Sequence, residues 1–251
     1  SKVHLHSLHA YFLRPGTVDR PVLYEVERVR DGRSFVTRRV VAIQNGQAIF
    51  NMDASFQLDE LGFEHSAPMP NVPLPEELRE DVEVARELGG PQADPRMSPM
   101  AKVDRPFHLR SVFELGSAAW GSDRFWNPTW IKFREGVTLP GPIDDVEEAA
   151  YRQQALSRCL VAYASDMGLV STAVLPHQSH TSRGDVQMAS LDHSLWIHRT
   201  VSLDQWLLFH KRTSTAQGAR GMVHSEFFAE DGALVAPMSQ EGLLRQRSDA
   251  S

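Results

Sequence analysis

Residues 145–168 read DVEEAAYRQQALSRCLVAYASDMG, and the fold turns on whether this stretch is one helix. Asp144 or Asp145 can cap its start, since a short acid there accepts from the unpaired N–H groups of the first turn. Ala149, Leu156, Leu160, Tyr163 and Met167 recur at three, four or seven residues and form one apolar stripe. The spacing predicts a helix over 145–168, about 36 Å long. Such a helix must bury its stripe, and the sequence after it is rich in strands. Val186–His198, Trp206–Lys211, Met222–Ala229 and Leu234–Leu244 read as β, with Asp231-Gly232 as a tight turn between the last two. Before the helix, Phe107–Phe113 and Trp130–Arg134 have the same character.

The beginning of the chain repeats this pattern without the helix. Leu5–Leu13, Val22–Val29, Phe35–Ile43 and Ala48–Phe56 read as strands, and Asp31-Gly32 and Asn45-Gly46 supply the positive φ that hairpin turns need. The two β regions overlay: Ser7-Leu8-His9 through Arg14 lies on Ser190-Leu191-Asp192 through Arg199, and Asn45-Gly46 with the strand after it lies on Asp231-Gly232 with its own. This is an internal duplication. The economical fold is α+β, with an antiparallel sheet curling round a long central helix and two copies pairing edge to edge. Because the first copy begins at its strands, it is expected to lack an initial strand and helix. The organisation is then an incomplete N-terminal repeat (1–60), a proline-rich acidic linker (61–104) and a C-terminal repeat (105–251). Residues 58 to about 104 hold seven of the fifteen prolines, with one short helix expected over Glu76–Leu88 between Pro75 and Gly89-Gly90.

Composition sets bounds on function. The net charge is −6, which disfavours a dedicated nucleic-acid binder, because such a protein needs a cationic face to displace phosphate counterions. Cys159 is the single cysteine, so neither an intrachain disulfide nor a thiolate zinc site is expected. The longest purely apolar runs, such as Leu160–Ala164, fall far short of the ~20 residues of a membrane span.

Several motifs are now recognisable: His6-Ser7-Leu8-His9-Ala10-Tyr11-Phe12-Leu13-Arg14-Pro15-Gly16, Tyr24-Glu25-Val26-Glu27-Arg28, Asp31-Gly32-Arg33-Ser34-Phe35, Ala54-Ser55-Phe56-Gln57, Tyr163-Ala164-Ser165-Asp166, Ala189-Ser190-Leu191-Asp192-His193 and Gln240-Glu241-Gly242. Their order and spacing resemble the acyl-CoA thioesterase II family. The resemblance implies a double hotdog fold and hydrolysis of fatty acyl-CoA by water, with no metal, cofactor or covalent intermediate. It also implies a homo-oligomer. By motif, the water-activating carboxylate falls on Asp166, the hydroxyl on Ser190 and the amide on Gln240. Cytoplasm is the expected location, since the chain ends in Arg247-Ser248-Asp249-Ala250-Ser251 rather than a peroxisomal tripeptide.

These residues suit the chemistry. Thioester hydrolysis needs a base for water and donors for the oxyanion. Asp166 lies near the negative end of the helix at the edge of its buried face, where partial desolvation is expected to make it a better base. Period-two counting puts Gln240 on the same face as Leu234, Ala236 and Met238, so it is either tied to backbone or aimed at a polar site. Ser190 shares a strand face with Asp192, Ser194 and Trp196; only a bulge or its place near the strand start would turn it toward the helix.

Other constellations are weaker. Ser190, Asp192 and His193 suggest a serine hydrolase, but adjacent strand residues point to opposite faces. Cys159 reads as a small hydrophobe on the helix's apolar flank. His4, His6 and His9, or His177 and His180, have no second cluster with metal-ligand spacing. Lys211, Arg212 and Arg220 could meet coenzyme A phosphates but read as solvated charges, and the tryptophans as packing residues. Two rivals remain: a hotdog enoyl-CoA hydratase, which requires a histidine close to Asp166, and a non-catalytic acyl-CoA binding protein.

Overall fold

The computed structural model describes residues 2–89, 106–134, 145–181, 183–202 and 204–247. Pro91, Pro95, Pro99, the alternative cap Asp144 and the tail from Ser248 lie outside them. Eleven strands form one sheet: β1 (His4–Phe12), β2 (Leu23–Asp31), β3 (Phe35–Gln44), β4 (Gln47–Gln57), β5 (Phe107–Ser111), β6 (Trp126–Phe133), β7 (Val186–Ser190), β8 (Asp192–Trp196), β9 (Leu207–Gln217), β10 (Arg220–Ala229) and β11 (Leu234–Gln246). The order is β2-β3-β4-β1-β8-β11-β10-β9-β6-β5, with β7 also on β11. The two copies therefore meet edge to edge at β1 and β8, where Leu8 faces Leu195 and Ala10 faces His193. All the recorded pairings are antiparallel. The expected antiparallel pairs form, with Asn45 and Gly46 at φ 53° and 73° and Gly232 at 84°, whereas β2 and β3 are joined at Asp31-Gly32 without the positive φ expected there.

The helices are α1 (Asp81–Glu87), α2 (Ala118–Gly121), the central α3 (Val146–Ser165) and α4 (Leu169–Thr172). Asp145 caps α3, accepting from Glu147 N at 2.8 Å and Glu148 N at 3.1 Å. Val161 and Ala164 of α3 and Leu169 of α4 pack into one core with Ile131, Phe209, Val223, Phe227 and Val235. By length and composition the segment Val146–His177 could cross a bilayer, which the short apolar runs in the sequence did not suggest. Here it is the core helix over the second repeat's sheet.

Three readings of the sequence change. The face of α3 with the greatest burial is Ser157, Arg158, Val161, Ala164 and Ser165 rather than the predicted stripe, and Tyr163 is 60% exposed. The reason is that α3 has two apolar sides: Leu160 and Met167 are only partly buried, and the Tyr163 side looks onto a cavity. Glu76–Leu88 is not one helix but a 3-10 turn (Pro75–Glu77) followed by α1. Leu78 is extended between them, its side chain drawn onto the cluster of Trp130, Trp206, Leu208 and Phe228. Finally, Val186–His198 divides at Leu191 into β7 and β8. From the proline-rich segment Met69, Val72 and Leu78 pack on the outer face of the sheet, where Trp130 Nε1 donates to Pro73 O at 2.8 Å.

Candidate active site

The polypeptide leaves α3 through Gly168 at φ 73°, a left-handed position that ends the helix and leaves Asp166 at its C-cap. Directly afterwards α4 lies flat on β10 and β11. Two paired glycines, Gly221 and Gly242, permit this approach. A Cβ on Gly242 would stand 2.6 Å from Val170 Cγ1, and one on Gly221 2.6 Å from the Ala173 Cβ. Glycine there sets how closely the turn carrying Asp166 sits against β11.

Gln240 occupies the core face of β11, 1% exposed, as the alternation required. It is not tied to backbone: its Nε2 donates to Asp166 Oδ1 at 2.6 Å. Ser190 Oγ donates to the same oxygen at 3.3 Å, a longer and weaker contact. Both donors meet Oδ1, so Oδ2 is the open side of the carboxylate; no hydrogen bond reaches it among the described residues.

The break at Leu191 explains how Ser190 arrives there. Up to that point β7 pairs with β11 in one register, Ser190 opposite Gly242, while beyond it Leu195 faces Met238, which is one residue out of step. The Asp192 carboxylate spans the irregularity by accepting from Glu241 N at 2.7 Å, and Leu191 N donates to Glu241 O at 3.0 Å. Inward-facing parity switches from even to odd residues, so Ser190 and His193 both turn toward the helix. Strict alternation across this stretch, on which the serine-hydrolase reading was set aside, therefore does not hold. That reading still lacks its relay, because Ser190 bonds Asp166 and His193 bonds Ser165.

His193, which the sequence offered only as part of a serine-hydrolase constellation, joins the site. It is 4% exposed and lies on the cavity wall with Asp166. Ser165 Oγ donates to Ala162 O at 2.8 Å and so accepts from His193 Nε2 at 2.7 Å, which leaves Nδ1 with the lone pair. His193 Nδ1 and Gln240 Oε1 are both buried with no hydrogen bond of good geometry. Burial holds the imidazole below the ordinary histidine value, against the opposing influence of Asp166, Asp192 and Gln240, and so favours the neutral ring. The usable signal was the Asp192-His193 pair itself, once a bulge is allowed beside Ser190.

Asp166 and His193 border a cavity of about 700 Å³, a volume typical of small-molecule sites. Its walls are largely apolar, with Leu8 and Met52 from the first repeat facing Phe107, Ile131 and Phe209 from the second. Both repeats therefore build it.

Cys159 is exposed rather than set on a buried flank, and local desolvation pushes its thiol up, opposite to the activation a nucleophile requires. Among the described residues no cluster of three His, Cys, Asp or Glu side chains has metal-binding geometry. Trp130 and Trp206 pack in the sheet's outer cluster, whereas Trp126 and Trp196 are partly exposed and stand edge-on to Phe113 and His9. Arg220 and Arg212 are surface charges, Arg220 pairing with Glu241 at 2.9 Å. Lys211, read from the sequence as a solvated charge, is 5% exposed and lines the cavity.

Comparison with known proteins identifies the family and the fold. Residues 146–243 match the family model described as acyl-CoA thioesterase, and residues 1–57 the model described as acyl-CoA thioesterase N-terminal domain. The chain is 34% identical over 244 residues to acyl-CoA thioesterase 2 of Haemophilus influenzae, covering 96% of this chain and 79% of that protein. It is 35% identical over 255 residues to acyl-coenzyme A thioesterase 8 of Mus musculus, covering 99% and 75%. Among solved structures, the acyl-CoA thioesterase II of Mycobacterium marinum superimposes with a TM-score of 0.74 at 35% identity, over 98% of this chain and 82% of that one. A hot dog fold protein of Alicyclobacillus acidocaldarius, 18% identical, shares the fold at a TM-score of 0.67 over 98% and 80%.

Proposed function

The chain belongs to the acyl-CoA thioesterase family, whose members hydrolyse thioesters, and from that premise we propose that it converts fatty acyl-CoA to free fatty acid and coenzyme A with a water activated by Asp166. Gln240 and Ser190 fix Oδ1, and the free Oδ2 takes a proton from water. The water oxygen bonds to the thioester carbonyl carbon, and the carbonyl electron pair moves onto oxygen. The second hydrogen of Gln240 Nε2 is the donor available to that oxyanion, since the single hydroxyl hydrogen of Ser190 is given to Oδ1. When the intermediate collapses the C–S bond breaks and the Asp166 carboxyl returns its proton to sulfur. Because a thiol has a pKa of about 8.5, the leaving group needs little acid assistance.

One observation carries this reading: two donors from strands far apart in sequence converge on one carboxylate oxygen at the wall of a largely apolar cavity. The proposal extends to a homo-oligomeric, cytoplasmic enzyme, supported by the resemblance and by the disulfide-free composition.

His193 beside Asp166 favours a second reading, hydration of an enoyl-CoA, since an acid and a base on one cavity wall can add water across a double bond. The discriminating experiment follows thiol release and enoyl absorbance in parallel with the purified protein. Hydrolysis predicts free thiol from saturated acyl-CoA. Loss of enoyl absorbance without thiol would replace it by hydration, and tight acyl-CoA binding with neither signal would replace it by a binding protein.

A further inference from the structure

Strand alternation on β9 turns Leu207, Phe209, Lys211 and Thr213 toward the helix, and all four are buried. A lysine on that face is costly, because an ammonium loses its hydration unless partners replace it. Lys211 has few. Its Nζ makes one long hydrogen bond to Thr129 Oγ1, at 3.3 Å, and stands 4.3 Å from the Phe209 ring centre. The carboxylate that attracts it, Asp81 on α1, is engaged elsewhere, accepting from Ser111 N and Ser111 Oγ at 2.7 Å each. Arg124 repels it. Across the ladder from Lys211, the buried Ser225 hydroxyl has no hydrogen-bond partner among the described residues. Burial brings the lysine down to about 8 and pushes Asp81 up, so the two do not form a mutually satisfied ion pair. At neutral pH the amine remains mostly cationic.

Lys211 lines the cavity that also holds Asp166, and the two residues its amine touches, Thr129 and Phe209, line it as well. Gln240 is level with Val223 and Thr213 across β11, β10 and β9, and Lys211 is two residues farther along β9. Two strand spacings and two residues separate the Cα atoms of Gln240 and Lys211 by about 12 Å. Between a scissile thioester at Asp166 and Lys211 there is room for an extended apolar segment, followed by a cation short of hydrogen-bond acceptors. A methyl terminus there would leave the ammonium unsatisfied, whereas a carboxylate would neutralise it and accept its free hydrogens.

Building on the thioesterase reading, we propose that Lys211 determines specificity by selecting acyl-CoA thioesters whose acyl chain carries a second carboxylate at its far end. The test measures affinity separately from turnover. Non-cleavable thioether analogues of acyl-CoA, in a series of chain lengths and each with a methyl or a carboxylate terminus, are titrated calorimetrically into the wild type, Lys211→Met and Lys211→Arg. At the best-fitting length the wild type is expected to prefer the carboxylate terminus by about tenfold or more, Lys211→Met to lose or reverse that preference, and Lys211→Arg to restore much of it. An equal preference in the wild type and Lys211→Met overturns the proposal. So does a wild type that binds methyl-ended analogues as tightly as carboxylate-ended ones at every length, a result that requires no variant to fold. Thiol release from the cleavable esters is scored separately: the carboxylate preference without thiol release would contradict the thioesterase reading and leave the role of Lys211 standing.

Discussion

Eight residues beyond the turn glycine Gly46 the first repeat places Ala54, and eight residues beyond Gly232 the second repeat places Gln240; both are buried, at 4% and 1% exposure. The same contrast recurs at the junction of the repeats, where Ala10 on β1 sits opposite His193 on β8. Hairpin turns and strand order are common to both copies, but polar groups appear at these two core positions only in the second. Packing differs accordingly. Every residue of β2 is exposed, whereas its counterpart β9 buries Leu207, Leu208, Phe209, Lys211 and Thr213. The polar side chains of the candidate site stand at positions that the first copy fills with alanine.

Making the second repeat resemble the first is the sharpest way to break this contrast. Gln240→Ala copies Ala54 into the active copy and is expected to lower kcat by about 10²–10³, the usual loss of one aimed donor, with the fold retained; steady-state thiol release against a circular dichroism control measures it. Gly242→Val tests the contact that seats the helix turn. It forces Val170 away and is expected to cost about 1–3 kcal/mol of stability, read from the denaturant midpoint, with activity falling as Asp166 shifts.

Lys211→Met probes the opposite trade and should stabilise the protein by roughly 1–3 kcal/mol at pH 7. The pH dependence has a definite sign. The folded-state value near 8 lies below the ordinary 10.5, so between these values the unfolded chain holds a proton that the native state has released. Wild-type stability gains from this group as pH rises through that window, and the gap to Lys211→Met narrows. The smallest effect is expected for Ser190→Ala. Its contact at 3.3 Å is long, and the loss in kcat should stay below about tenfold.

Much of this was legible in the sequence because its causes are local. Asn45-Gly46 and Asp231-Gly232 fixed two hairpins, and the acid at Asp145 fixed the start of α3. The duplication led to edge pairing at β1 and β8. Period-two counting found Gln240 on the core face and would have found Lys211 as well, had its charge not argued for solvent. What escaped depended on contacts between elements. The rotation of α3 follows from a cavity on its second apolar side, the splitting of 186–198 from one register slip, and the role of His193 from that same slip. A helix expected over 76–88 gave way at Leu78 because the tryptophan cluster on the sheet captured its side chain.

Asp166→Asn keeps the shape of the central side chain and removes its basicity, so single-turnover thiol release from acyl-CoA by this variant tests the account most directly. With the fold verified by circular dichroism, release is expected to slow by about 10²–10⁴ relative to the wild type. Turnover within a few-fold of the wild type would contradict water activation by this carboxylate.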